Sequence, residues 1–183
     1  VQPGDRLLVP GCGQARLAWE LAHKLDGVDV VGLDSSHAQL SVARRMLDMT
    51  AERSLPFHPF LDEARNAGST ESRLSRLAAP DVAPGGTPPT LRLEHGGFDQ
   101  EWVSARQQAG ERPFDCVVSS FFLDCVPDTV AGVEAIHSAL APGGLWVCAG
   151  PLAYHHWPKL SPTLDQLTEL AEEMGMELVL EPE

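Results

Sequence analysis

Long apolar runs are missing from this sequence. No stretch approaches the ~20 consecutive apolar residues that a membrane span requires. No basic, apolar leader ending in small residues opens the chain at Val1, so a secretory signal is not expected. Basic residues are scarce: 13 Lys and Arg stand against 26 Asp and Glu, for a formal net charge of -13. A nucleic-acid backbone or an anionic membrane surface calls for the opposite sign. Neither is an expected partner; a small neutral or cationic molecule is. The cysteines are Cys12, Cys116, Cys125 and Cys148, and no two of them form a CxxC pair. That spacing argues against a zinc site and against a disulfide framework. They read as buried, reduced thiols, which fits a cytoplasmic location, or a nuclear one as well. No internal repeat is visible, and nothing predicts an oligomeric state.

The 183 residues suffice for one domain with a real core and are too few for two ordinary ones. Hydrophobic residues make up 43% and charged residues 21%, the balance of a folded globular protein. Arg6 to Pro10 reads as a strand, Ala15 to Leu25 as an amphipathic helix, and Val28 to Leu33 as a second strand ended by Asp34. Ser35 or Ser36 can cap a helix that runs to about Thr50. This β-α-β-α order predicts an α/β domain with a doubly wound, mostly parallel sheet. The segment 55–90 breaks the pattern with six prolines and three glycines and reads as an irregular insertion, with a short helix around Glu71 to Leu77. Further strands are expected at Thr90 to Glu94, Phe114 to Phe122, Leu145 to Ala149 and Met176 to Leu180. Helices are expected at Phe98 to Gln108, Asp128 to Leu140 and Leu164 to Met174. Pro142-Gly143-Gly144 reads as a turn and Gly175 as a helix stop.

In open parallel sheets, ligands bind beyond the carboxyl ends of the strands. After the first strand comes Gly11-Cys12-Gly13-Gln14-Ala15-Arg16, where glycines let a ligand approach the backbone. A dinucleotide fingerprint wants Gly or Ala at the sixth position, and Arg16 disfavours it. After the second strand comes Asp34, an acid able to accept hydrogen bonds from both hydroxyls of a ribose. S-adenosylmethionine and a nicotinamide dinucleotide both fit these two features. The absence of a Tyr-x-x-x-Lys relay weakens the second. After the fourth strand comes Asp124, at the end of Phe121-Phe122-Leu123, a carboxylate able to orient a nucleophile and accept its proton. After the fifth comes Tyr154-His155-His156-Trp157, a loop of site-lining residue types. Adjacent histidines without further ligands make a weak zinc site, and no metal is expected.

The stretch Pro10-Gly11-Cys12-Gly13-Gln14-Ala15-Arg16-Leu17-Ala18-Trp19-Glu20-Leu21-Ala22 resembles the carnosine N-methyltransferase family, class I methyltransferases that use S-adenosylmethionine. Pro80-Asp81-Val82, Gly97-Phe98, Phe121-Phe122-Leu123-Asp124 and Gly150-Pro151-Leu152-Ala153-Tyr154-His155 follow in family order, so the likeness spans nearly the whole chain. The resemblance implies a Rossmann-like methyltransferase domain over residues 1–183, with 55–90 as an insertion that the family carries. It implies cofactor contacts at Gly11, Cys12, Gly13, Arg16, Asp34, Gly97, Phe98 and Ser120. It implies substrate contacts at Asp124, His155, Tyr154 and Phe122, with Asp124 catalytic and a histidine-containing dipeptide such as carnosine as the small-molecule substrate. Two alternatives stay open: methylation of another imidazole acceptor, and an inactive or partner-dependent fragment that only binds the cofactor. Gly97 stands where the family has an acid, and Asp99 is the acid nearest to it. Nothing in the chain matches the family's N-terminal helical part or its last strand.

Overall fold

A computed structural model describes residues 1–49, 55–62, 68–154 and 159–179. The chain divides into two compact units, Val1–Leu40 with Pro88–Glu183, and Ser41–Thr87. The first unit holds the main sheet. Strand β1 (Arg6–Pro10) is buried along its length, and β2 (Asp29–Asp34) is buried from Val30 to Leu33. Strands apolar on both faces need cover on both. Helix α1 (Arg16–Lys24) covers one face: Ala18 Cβ lies 3.4 Å from where a Cβ on Gly32 would stand. On the other face Leu8, Val31 and Val117 form a core with Val133 and Ile136 of α5 (Thr129–Ala139) and Leu167 of α6 (Leu164–Glu173). Fully burying each such side chain stabilises the fold by about 1.5–3 kcal/mol.

The sheet has five strands in the order β5-β2-β1-β6-β7, where β5 is Leu91–His95, β6 is Phe114–Ser120 and β7 is Leu140–Ala149. All four neighbouring pairs are parallel. The doubly wound parallel fold expected from the element order is what forms. Chain order reverses between β1 and β6, so the carboxyl ends of these strands make the switch point where ligands bind. Helix α4 (Gln100–Gln108) is capped by Asp99, and α5 by Asp128, whose carboxylate accepts the Ala131 amide at 3.1 Å. Asp128 also accepts from Lys159 Nζ at 3.0 Å. The Ala131 amide and Lys159 together hold its carboxyl below the usual range.

Several local expectations are corrected. Strand β7 opens at Leu140 rather than Leu145 and absorbs Pro142-Gly143-Gly144 as an irregularity between the Phe114–Leu140 and Cys116–Leu145 pairs. Residues 176–179 form no strand, and Leu180 lies outside the described residues; an apolar run becomes a strand only where a neighbour offers a ladder. Met176 packs on the core instead. In the second unit, which also takes in most of α2 (His37–Leu47), the short helix α3 stops at Thr70–Arg73. Leu77 opens β4 (Leu77–Ala79), paired antiparallel with β3 (Leu55–Phe57). Cysteine burial also differs: Cys116 is buried and Cys12 half-buried, but Cys125 and Cys148 are exposed, Cys148 because it sits on edge strand β7. All four thiols are free. No helix among the described residues is long and apolar enough to cross a membrane.

Candidate active site

The loop after β1 is a run of left-handed backbone. Gly11, Gly13 and Ala15 have φ of 63, 54 and 64°. Glycine takes this conformation without strain, whereas Ala15 holds it against a steric cost. Two bonds close the turn: the Cys12 amide donates to the Leu33 carbonyl at 3.0 Å, and the Ala15 amide to the Cys12 carbonyl at 2.8 Å. A Cβ added at Gly13 would meet nothing within 4 Å, so the loop presents bare backbone to open space. At Gly11 an added Cβ would lie 2.4 Å from Cδ2 of Phe122. The Phe122 ring is therefore seated directly on the glycine.

Asp34 ties this loop to β2. Its Oδ2 accepts the Gly13 amide at 2.7 Å and its Oδ1 the Ser36 amide at 2.8 Å. Each oxygen keeps acceptor capacity beyond one such bond, which a ribose can use. The Cys12 thiol is pushed up to about 12, first by burial and then by the charge of Asp34. It stays protonated at neutral pH and is no nucleophile. Arg16 opens α1. Its guanidinium binds Glu20 one turn along α1, at 2.7 Å, and lies over the Trp19 ring.

The carboxyl end of β6 carries the second half of the site. Ser120 pairs with Ala149 across the ladder. Phe121 follows at φ 51°, 68% exposed, with its amide on the Ala149 carbonyl at 2.9 Å. A 3-10 turn (Leu123–Cys125) then carries Asp124 inward, to 3% exposure. Its Oδ2 accepts the Ala153 amide at 3.1 Å, while Oδ1, among the described residues, faces the Cys125 thiol at 3.6 Å. A thiol is a weak donor, so Oδ1 remains available to a stronger one. Burial, and then the charge of Asp124, push the Tyr154 phenol up. Its hydroxyl donates to the Pro162 carbonyl, which ties the loop after β7 to the approach of α6. His155, with His156 and Trp157, lies outside the described residues.

The third part follows β5. Gly97 is exposed, and Phe98 meets Phe122 edge-on at 5.9 Å between centroids. Phe98 thus joins the residues after β5 to those after β6 through one aromatic contact. Beside them, His95 and His37 stack at 3.6 Å, and His95 Nε2 donates to the Ser35 carbonyl at 3.0 Å. Neither the histidine stack nor the amides of Ser36 and Ala153 were foreseen. The only local signal was a serine two residues after Asp34.

The glycine loop, Asp34 and the buried Asp124 thus share one edge of a parallel sheet, and residues 3–183 match the model of the family described as carnosine N-methyltransferase. The chain belongs to the carnosine N-methyltransferase family. It is 29% identical over 176 residues to carnosine N-methyltransferase unmet of Drosophila melanogaster, covering 93% of this chain and 37% of that protein. It is 31% identical over 157 residues to the carnosine N-methyltransferase of Dictyostelium discoideum, covering 84% and 33%. The mouse enzyme is 28% identical over 176 residues, covering 96% and 40%. The chain spans about two-fifths or less of the length of these relatives.

Solved structures share the fold. A TehB-like S-adenosylmethionine-dependent methyltransferase from Corynebacterium glutamicum superposes with a TM-score of 0.55 at 18% identity, covering 95% of this chain and 66% of that one. Phosphoethanolamine N-methyltransferase 2 of Haemonchus contortus, in complex with S-adenosyl-L-methionine, gives 0.53 at 18%, covering 96% and 34%. Methyltransferases of this fold use S-adenosylmethionine. The residues present in this carnosine N-methyltransferase family chain fit it: bare backbone at Gly13 and spare lone pairs on Asp34.

Gly11→Ala tests the loop. The new methyl meets the Phe122 ring on a backbone at φ 63°. Strain and overpacking predict a loss of about 1–3 kcal/mol in stability, read from urea unfolding, with at least tenfold weaker binding of S-adenosylhomocysteine. Parent-like values in both would show that Phe122 is not seated on this glycine.

Proposed function

We propose that this chain is the methyltransferase domain of an enzyme that moves the methyl group of S-adenosylmethionine to an imidazole nitrogen of a histidine-containing dipeptide such as carnosine, giving anserine. The observation that carries this reading is Asp124: a carboxylate 3% exposed, anchored through one oxygen and lightly used at the other. Neutral imidazole has one N–H and one lone-pair nitrogen. By accepting the N–H at Oδ1, Asp124 presents the opposite nitrogen as the nucleophile. A carboxylate orients histidine in the same way in a catalytic triad.

Bound S-adenosylmethionine supplies an electrophilic methyl on a sulfonium centre. As the second nitrogen gains that methyl, the methyl–sulfur bond would break to leave neutral S-adenosylhomocysteine, and positive charge would build on the ring. Asp124 stabilises the charge and takes the N–H proton, leaving a neutral N-methylimidazole. Gly11, Cys12, Gly13 and Asp34 hold the cofactor, joined in the resemblance by Arg16, Gly97, Phe98 and Ser120. Phe122 covers Gly11. Tyr154 shapes the substrate wall, and His155, by resemblance, holds the dipeptide's polar groups. Holding the imidazole nitrogen close to the transferable methyl would supply most of the acceleration.

The test is mass spectrometry of carnosine incubated with the chain and S-adenosylmethionine. One added methyl on the imidazole is the expected product. Methylation of a different imidazole compound, with carnosine untouched, would move the substrate assignment and keep the reaction class. Methylation confined to a non-imidazole nitrogen would overturn the role given to Asp124.

A further inference from the structure

Charge is unevenly placed along this chain. The unit made of Val1–Leu40 and Pro88–Glu183 holds 20 Asp and Glu against 7 Lys and Arg, while Ser41–Thr87 holds six of each sign. The whole formal charge of -13 therefore lies in the unit that carries the main sheet and the candidate site. Within that unit the basic side chains are sorted as well. Arg6, Arg92 and Arg112 lie at or just before the starts of strands, and Lys24 and Arg106 in the last turns of helices. In a parallel α/β sheet both places belong to the amino edge, away from the site. Arg16 and Lys159 are left for the carboxyl edge, and each is taken up by a carboxylate: Arg16 by Glu20 at 2.7 Å and Lys159 by Asp128 at 3.0 Å. Asp99, Glu101, Asp128 and Asp165 stand at the starts of α4, α5 and α6, on that same edge.

Below this acidic rim lies Asp124. It is 3% exposed, the one buried carboxylate among the described residues. Its partners are neutral, the Ala153 amide at 3.1 Å and the Cys125 thiol at 3.6 Å. Among the described residues no Lys or Arg forms an ion pair with it. The buried cation Arg6, by contrast, has Glu111 at 3.2 Å. Buried charges call for a counter-charge, and at Asp124 the place for it is open to a ligand.

An incoming cation is attracted by the rim and gains most beside Asp124, where little water intervenes. An anion is repelled by both. We propose that the site selects its acceptor by charge: it takes imidazoles that bring a cationic group and turns away those that bring an anionic one, with Asp124 as the residue that sets the preference. The inference rests on the imidazole reading above and adds the charge class of the substrate.

The experiment is calorimetric binding of histamine and of imidazolepropionate to the 183-residue chain saturated with S-adenosylhomocysteine, at about pH 8, where imidazole is neutral. The two compounds share the ring and the length of the tail and differ in the sign of its charge. S-adenosylhomocysteine lacks the sulfonium charge, so the tail alone is read. The parent is expected to prefer histamine by about tenfold or more. Raising the salt from about 0.05 to 0.5 M should shrink that preference only in part, because the exposed rim is screened and the buried carboxylate much less. In Asp124→Asn both compounds lose the ring contact alike, so their ratio isolates the charge, and the preference should fall to about threefold or less. Equal binding of the two compounds by the parent, or tighter binding of imidazolepropionate, overturns this inference alone. So does a preference undiminished in Asp124→Asn with S-adenosylhomocysteine bound as in the parent. Binding of neither compound by the parent overturns the imidazole reading, and this inference with it.

Discussion

Asp124→Asn is expected to lower turnover by about 10²-fold or more, the scale of a lost general base. The argument is geometric. Oδ2 of Asp124 accepts the Ala153 amide at 3.1 Å, and that bond keeps the oxygen of Asn on the same side. The new amino group then occupies the place of Oδ1 and donates where an acceptor is needed. It binds the lone-pair nitrogen of the imidazole and leaves the N–H facing the methyl, the wrong tautomer for transfer. Cofactor binding should change little, since Asp34 and the glycine loop are untouched. Steady-state kinetics by mass spectrometry, with S-adenosylhomocysteine binding as the control, separates the two effects. Turnover within about threefold of the parent would remove Asp124 from the chemistry.

Asp34→Asn should act on binding instead. The carboxylate accepts two backbone amides, Gly13 at 2.7 Å and Ser36 at 2.8 Å. An asparagine has one acceptor oxygen and one donor nitrogen, so whichever way it turns, one amide faces a donor. Losing a charge-assisted bond costs about 1.5–3 kcal/mol, and the loop that shapes the cofactor site loses its tie to β2. The ribose hydroxyls lose an acceptor at the same time. Binding of S-adenosylhomocysteine, measured by calorimetry, should weaken by about 10²-fold, with kcat at saturation much less affected. Near-parent affinity would mean that Asp34 holds the loop without touching the cofactor. The contrast with Asp124→Asn is itself informative: one variant should move kcat and the other KM.

Much of this architecture depends on residues close together in the chain. An apolar run followed by Gly11-Cys12-Gly13 and an amphipathic stretch can only be strand, tight turn and helix, because the backbone preferences are local. The same holds for β2 and Asp34, for the cap Asp128, and for the parallel order that puts these ends on one edge. Position after a strand was enough to mark Asp34 and Asp124 as candidates.

What each carboxylate does with its two oxygens was beyond local reasoning. Asp34 grips Gly13, 21 residues away, and Asp124 holds Ala153, 29 residues away; both bonds exist only once the strands lie side by side. Phe122 sits on Gly11 for the same reason. The apolar residues 176–179 could not be told from a strand by their pattern, since a strand is defined by a partner that sequence does not name. Leu77 to Ala79 became a strand because Leu55 to Phe57 offered one. The sequence alone determined the fold class, the family likeness and the edge of the sheet where chemistry sits, because periodicity, turns and motifs are encoded within short windows. Only the tertiary structure decided which partner each carboxylate oxygen takes. Hydrogen-bond satisfaction is a property of the packed neighbourhood and not of the residue.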